Sequence, residues 1–109
     1  MVFNIYDPEL AALWFGKAAE QGDEDAQFCL GECYYEGTGV KRDRDQAVAL
    51  FRMAAEQGHE EAQFRLWEVY ASGRCNLVNR SEAEMWLREA AEQGHEGAKE
   101  QLSESGETI

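Results

Sequence analysis

Ala18-Ala19-Glu20-Gln21-Gly22, Ala54-Ala55-Glu56-Gln57-Gly58 and Ala90-Ala91-Glu92-Gln93-Gly94 are the same five residues written three times at a spacing of 36. The repetition extends outward from these blocks. Residues 11–46 laid on 47–82 without a gap give 16 identities in 36 positions, and 47–82 laid on 83–109 give 12 in 27. Self-similarity at a fixed period of this length is the signature of a stacked repeat array. The period therefore decides the fold.

Each period predicts two helices, here termed B, which ends in the five-residue block, and A, which follows it. Asp7, Asp43 and Asn79, again 36 apart, stand where a side-chain oxygen can cap the first amides of a B helix. Gln46 and Glu82, three residues beyond Asp43 and Asn79, suggest capping boxes. Pro8 directly follows Asp7, at the position where a helix tolerates proline best. The apolar stripe recurs at i, i+3, i+4 and i+7: Ala11, Trp14, Phe15 and Ala18; Ala47, Leu50, Phe51 and Ala54; Ala83, Trp86, Leu87 and Ala90. All three stripes are expected in the core. Gly22, Gly58 and Gly94 end the B helices. The A helices begin with Asp23-Glu24-Asp25, His59-Glu60-Glu61 and His95-Glu96 and bury Ala26, Leu30 and Tyr34, then Ala62, Leu66 and Tyr70.

The prediction is an all-α fold, a right-handed α/α superhelix (solenoid) of about two and a half to three repeats. It comprises an N-terminal segment 1–7, a solenoid 8–105 and a tail 106–109. In the last copy Glu100 replaces Phe28 and Phe64, and Gly106 replaces Tyr34 and Tyr70, as suits a polar cap.

Leu30-Gly31-x-x-Tyr34, Gly37-x-Gly39-Val40, Ala47-x-x-x-Phe51 and the five-residue block resemble the Sel-1-like repeat (SLR), a relative of the tetratricopeptide repeat. The resemblance covers about Pro8 to Leu102 and implies a helical scaffold that binds another protein, most often in bacteria. Two departures stand out. Trp67 replaces Gly31, and Cys75-Asn76 replace Gly39-Val40, so the second A-to-B loop is expected to differ from the first.

Composition narrows the function. A net charge of −12 argues against nucleic acid and against an anionic membrane surface, since both demand clustered cations. No run approaches the roughly 20 apolar residues of a membrane span. The first eight residues lack the pattern of a secretory signal. An odd cysteine count, with Cys29 and Cys33 one helical turn apart, points to the reducing cytoplasm.

Chemistry is hard to find. His59 and His95 lie one repeat apart and read as helix-start residues, not metal ligands. Cys29 and Cys33 sit mid-helix with no activating base. No Ser-x-x-Lys occurs for a β-lactamase-type nucleophile. Asn79-Arg80-Ser81 is explained by capping. No catalytic, metal or cofactor site is assigned. The expectation is therefore a non-enzymatic protein-interaction module, with a hydrolase of peptidoglycan or β-lactams as the alternative.

Phe28, Glu32 and Tyr35, with Phe64, Glu68 and Trp67 in the next copy, are the candidate protein-binding residues on the concave face of the A helices. The competing reading packs Phe28 against Phe64 between repeats. Acidic residues line the B-to-A edge, which suits a basic partner. An immunity- or antitoxin-type inhibitor is the narrower form of this reading, and a homodimer through the terminal repeats is a third reading.

Overall fold

The helices fall where the caps and glycines place them. A computed structural model describes residues 7–104 and shows α1 (Pro8–Glu20), α2 (Glu24–Glu36), α3 (Arg44–Glu56), α4 (Glu60–Ser72), α5 (Arg80–Glu92) and α6 (Glu96–Glu104). Among the described residues there is no strand. Helices α1, α3 and α5 are the B helices, and α2, α4 and α6 the A helices. They stack as a solenoid 55 Å long and 25 by 21 Å across. The expected segment 1–7, apart from Asp7, and the tail 106–109 lie outside the described residues, as do Gly106 and the predicted helix end at Ser105.

The caps form as expected. Asp7 Oδ1 accepts from the amides of Glu9 and Leu10, Asp43 Oδ1 from Gln46, and Asn79 Oδ1 from Glu82. The A helices use Asp23, His59 and His95. Each imidazole accepts at Nδ1 from the amide three residues on, at 3.0 and 3.1 Å. Gly22, Gly58 and Gly94 take φ of 90°, 94° and 98°, where a side chain would strain the turn.

Packing then follows the repeat. Phe51, Leu66, Val48 and Val69 are fully buried at the centre of the core, and Leu87, Ala90, Ala91, Ala98 and Leu102 join α5 to α6. The only buried polar side chains among the described residues are Gln27 and Gln63. Both belong to a ladder that crosses repeats. Gln57 donates to Gln27 (2.6 Å), which donates to the Ala19 carbonyl, while Gln93 donates to Gln63 (2.8 Å), which donates to the Ala55 carbonyl. Mutual satisfaction removes the cost of burying these amides.

The two departures are resolved by size. A Cβ on Gly31 would lie 2.7 Å from the Phe51 ring, so a small residue meets a large one there. In the next copy Trp67 stands in place of the glycine and Leu87 in place of the ring, and Trp67 packs with Phe64 against the cluster that contains Leu87. The loops differ as expected. Gly39, at φ 77°, is pressed against the Pro8 carbonyl and has no room for a side chain, whereas Cys75 does not take positive φ.

Two burial expectations are corrected. Trp14 is 51% exposed, and Ala11, Phe15 and Ala18 are only half-buried, because among the described residues no A helix precedes α1. Tyr70 is exposed too, while Leu30 and Tyr34 are half-buried; Val69 takes the inward place.

Candidate functional site

The face formed by α2 and α4 carries a continuous row of interlocked side chains. The Phe28 ring stacks on His59 at 4.8 Å, and Phe64 repeats the contact on His95 at 4.5 Å. His59 Nε2 lies 3.0 Å from Asp25, and His95 Nε2 2.7 Å from Glu61. With Nδ1 accepting from the helix amide, Nε2 carries the proton and donates to the carboxylate. Between the two stacks, Arg65 pairs with Glu32 at 2.8 Å and Glu68 at 3.5 Å, and its guanidinium lies 5.8 Å from the Phe28 centroid.

Five of the six predicted site residues share this row. Phe28, Glu32, Phe64, Trp67 and Glu68 are half-buried; Phe28 and Glu32 meet Arg65 across the repeat boundary, while Phe64 stacks on Trp67 and Glu68 pairs with Arg65 within α4. Phe28 and Phe64 each pack on the next repeat's histidine, a contact that neither alternative had named. Tyr35 is corrected. It is 6% exposed, packed 6.3 Å from the Phe51 centroid under the Arg44 guanidinium. Treating α2 as having one buried stripe missed this, because α2 is covered by α1 on one side and by α3 on the other.

A second feature lies on the opposite side, between the B helices α1 and α3. It is a groove of about 710 Å³, floored by Leu30, Tyr34, Val40 and Leu50 and walled by Leu13 and Met53. Its ionisable lining residues among those described are Glu9, Lys17, Glu20 and Tyr34. Burial, with Glu32 beside them, pushes the Cys29 and Cys33 thiols up, away from a reactive thiolate. Among the described residues no group of three or more His, Cys, Asp and Glu is arranged to hold a metal ion, and no helix is long and apolar enough to cross a membrane.

The corresponding space between α3 and α5 is filled. Arg52 spans it, donating to Glu82 at 2.7 and 2.8 Å and to the Leu77 carbonyl at 2.7 Å, while the Trp86 indole donates to Glu82 at 3.1 Å. The Arg52 hydrogen bonds, with help from Trp86, hold the Glu82 carboxyl below the ordinary glutamate range despite partial burial. Glu82 thus spends its carboxylate on this clamp. In the sequence, Glu82 stands out only as part of a capping box with Asn79. Comparing Gly16 with Arg52 and Gln46 with Glu82 could have revealed the difference.

Comparison with known proteins agrees with this architecture. The Sel1 repeat model matches residues 5–23, 24–59 and 61–95. Among solved structures, the chain is similar to a protective antigen present in uropathogenic Escherichia coli strains that displays an SLR fold. The identity is 37% and the TM-score 0.82, over 90% of this chain and 21% of that one. It is also similar to a Sel1 repeat protein from Oxalobacter formigenes, at 42% identity and a TM-score of 0.76, over 83% of this chain and 36% of that one. The chain thus spans about a fifth and about a third of these two proteins. No curated protein matches it by sequence. With most of its length covered by three matches, the chain belongs to the Sel1 repeat family.

Proposed function

We propose that this chain is a non-catalytic module that docks a protein partner on the face of its A helices, through Phe28, Glu32, Phe64, Trp67 and Glu68. Sel1 repeat proteins are generally protein-interaction modules. The observation that carries the assignment is the row of ring stacks and ion pairs from Asp25 through Arg65 to His95. Side chains already fixed by their neighbours lose little freedom on binding, which leaves more of the contact energy as affinity. Tyr35 contributes from beneath, as support for α3.

The partner is a basic protein surface, in keeping with the charge of −12 and with exposed Asp25, Glu61 and Glu96 along the adjoining edge. Nucleic acid and membranes are not its ligands, and its setting is the cytoplasm. The narrower form of the proposal is an immunity- or antitoxin-type inhibitor with one tight partner.

The test is titration calorimetry with the product of the neighbouring gene, for wild type and for Trp67→Ala and Glu68→Lys. The expected result is a loss of about tenfold or more in affinity for each variant, and weaker binding as salt rises. Unchanged affinity in both variants would remove the A-helix face from the account.

A further inference from the structure

The two B-helix junctions are built from aligned residues, so one shows what the other lacks. Gly16 aligns with Arg52, Gln46 with Glu82 and Leu50 with Trp86, each 36 residues apart. The α3–α5 junction holds a guanidinium clamped on a carboxylate, with an indole beside it. Beneath that clamp Leu66 is fully buried, whereas Leu30, its counterpart under α1 and α3, is half-exposed in the groove. Gly16 leaves open space, since a Cβ built there meets nothing within 4 Å. Leu13 and Met53 stand 55% and 45% exposed on the walls. The rim carries exposed Glu9 and Glu20 against a single cation, Lys17.

We infer that the α1–α3 groove is a second docking site, on the side opposite the A-helix face, for a cationic segment of a partner protein that inserts a large apolar side chain. The inserted group replaces Trp86 and rests on Leu30, Tyr34 and Val40. A neighbouring Arg or Lys replaces Arg52 and pairs with Glu9 or Glu20. Charge complementarity selects this occupant over a second copy of the chain, because two copies would bring two charges of −12 together. The C-terminal cap is unsuited as well. Where α2 presents Phe28 and Gly31 to α3, α6 presents Glu100 and Ser103. The site does not depend on the A-helix face.

The test uses a 14-residue amphipathic helical peptide carrying Trp and Arg one turn apart, titrated into the full chain and followed by methyl NMR. The expected result is that the methyls of Leu13, Leu30, Val40 and Met53 shift together. Binding should weaken about tenfold when the peptide Trp is replaced by Ala or its Arg by Glu. The variant Gly16→Arg with Gln46→Glu, which rebuilds the clamp, should abolish the response, whereas Trp67→Ala should leave it intact. Shifts confined to the A-helix face, or none, overturn the inference. So does a response that survives the rebuilt clamp. Groove shifts that follow protein concentration without peptide would assign the groove to a second copy, and groove shifts on removing residues 1–6 would assign it to the chain's own start. Either result also overturns the inference.

Discussion

The junction between α1 and α3 and the junction between α3 and α5 descend from one repeat, yet only the second is closed. At the second, Arg52, Glu82 and Trp86 tie neighbouring B helices together, and Leu66, in the same core cluster as Trp86, is fully buried. At the first, Gly16, Gln46 and Leu50 leave a groove. The alanines of the stripes, Ala11, Ala18, Ala47, Ala54, Ala83 and Ala90, are the same in both. Stacking is thus separable from surface closure, and a repeat can keep its core while changing what it shows to a partner.

The largest expected effect lies under the stripes. Phe51→Ala should cost about 3–5 kcal/mol, because a fully buried ring leaves a cavity. Phe15→Ala, at the same phase of half-buried α1, should cost about 1–2 kcal/mol, by urea denaturation. Equal costs would mean that α1 is as well covered as α3.

Next in size is the clamp. Glu82→Gln should lower stability by about 1–2 kcal/mol, after allowance for the partial exposure of both partners. Gln46→Ala should change it by no more than about 0.5 kcal/mol. Because the folded-state value of Glu82 is depressed, its contribution is fully present above the ordinary glutamate value of 4.5. It is lost as pH falls through the lower folded value. Unfolding curves from pH 6 down to 3 should therefore be flatter in Glu82→Gln than in wild type. Identical acid limbs would remove the clamp from the stability of this junction.

How far the sequence reaches is clear from these particular residues. Identities at offsets of 36 expose whatever every copy shares, namely the caps Asp7, Asp43 and Asn79, the terminating glycines and the apolar stripes. They cannot expose what arises from differences. The groove comes from Gly16 and Gln46, which lie off the stripe, and from Leu50 where the next copy has Trp86; the burial of Tyr35 comes from α2 being covered on two sides. Trp14 has the right phase for the core yet stands 51% exposed, which its phase does not show. The Gln27 and Gln63 ladder was signalled by the repeated Ala-Gln-Phe of 26–28 and 62–64, a polar residue at a shared phase.

The smallest expected effect is a gain. Gly16→Arg should stabilise by about 0.5–1 kcal/mol, since glycine weakens a helix interior and the added chain meets open space. Adding Gln46→Glu should yield a favourable coupling of about 0.5–1 kcal/mol in a double-mutant cycle. Zero coupling would mean that the arginine–glutamate pair does not form at the first junction without the indole that Trp86 supplies at the second.

The account rests on each helix pair being held by its neighbours, with the first junction left open. Native-state amide hydrogen exchange measures this helix by helix. The amides of Phe15 to Ala19 in α1 should open at a free energy well below that of the matching amides, Phe51 to Ala55 in α3, which should exchange only on global unfolding. Equal protection in the two helices would contradict an open first junction.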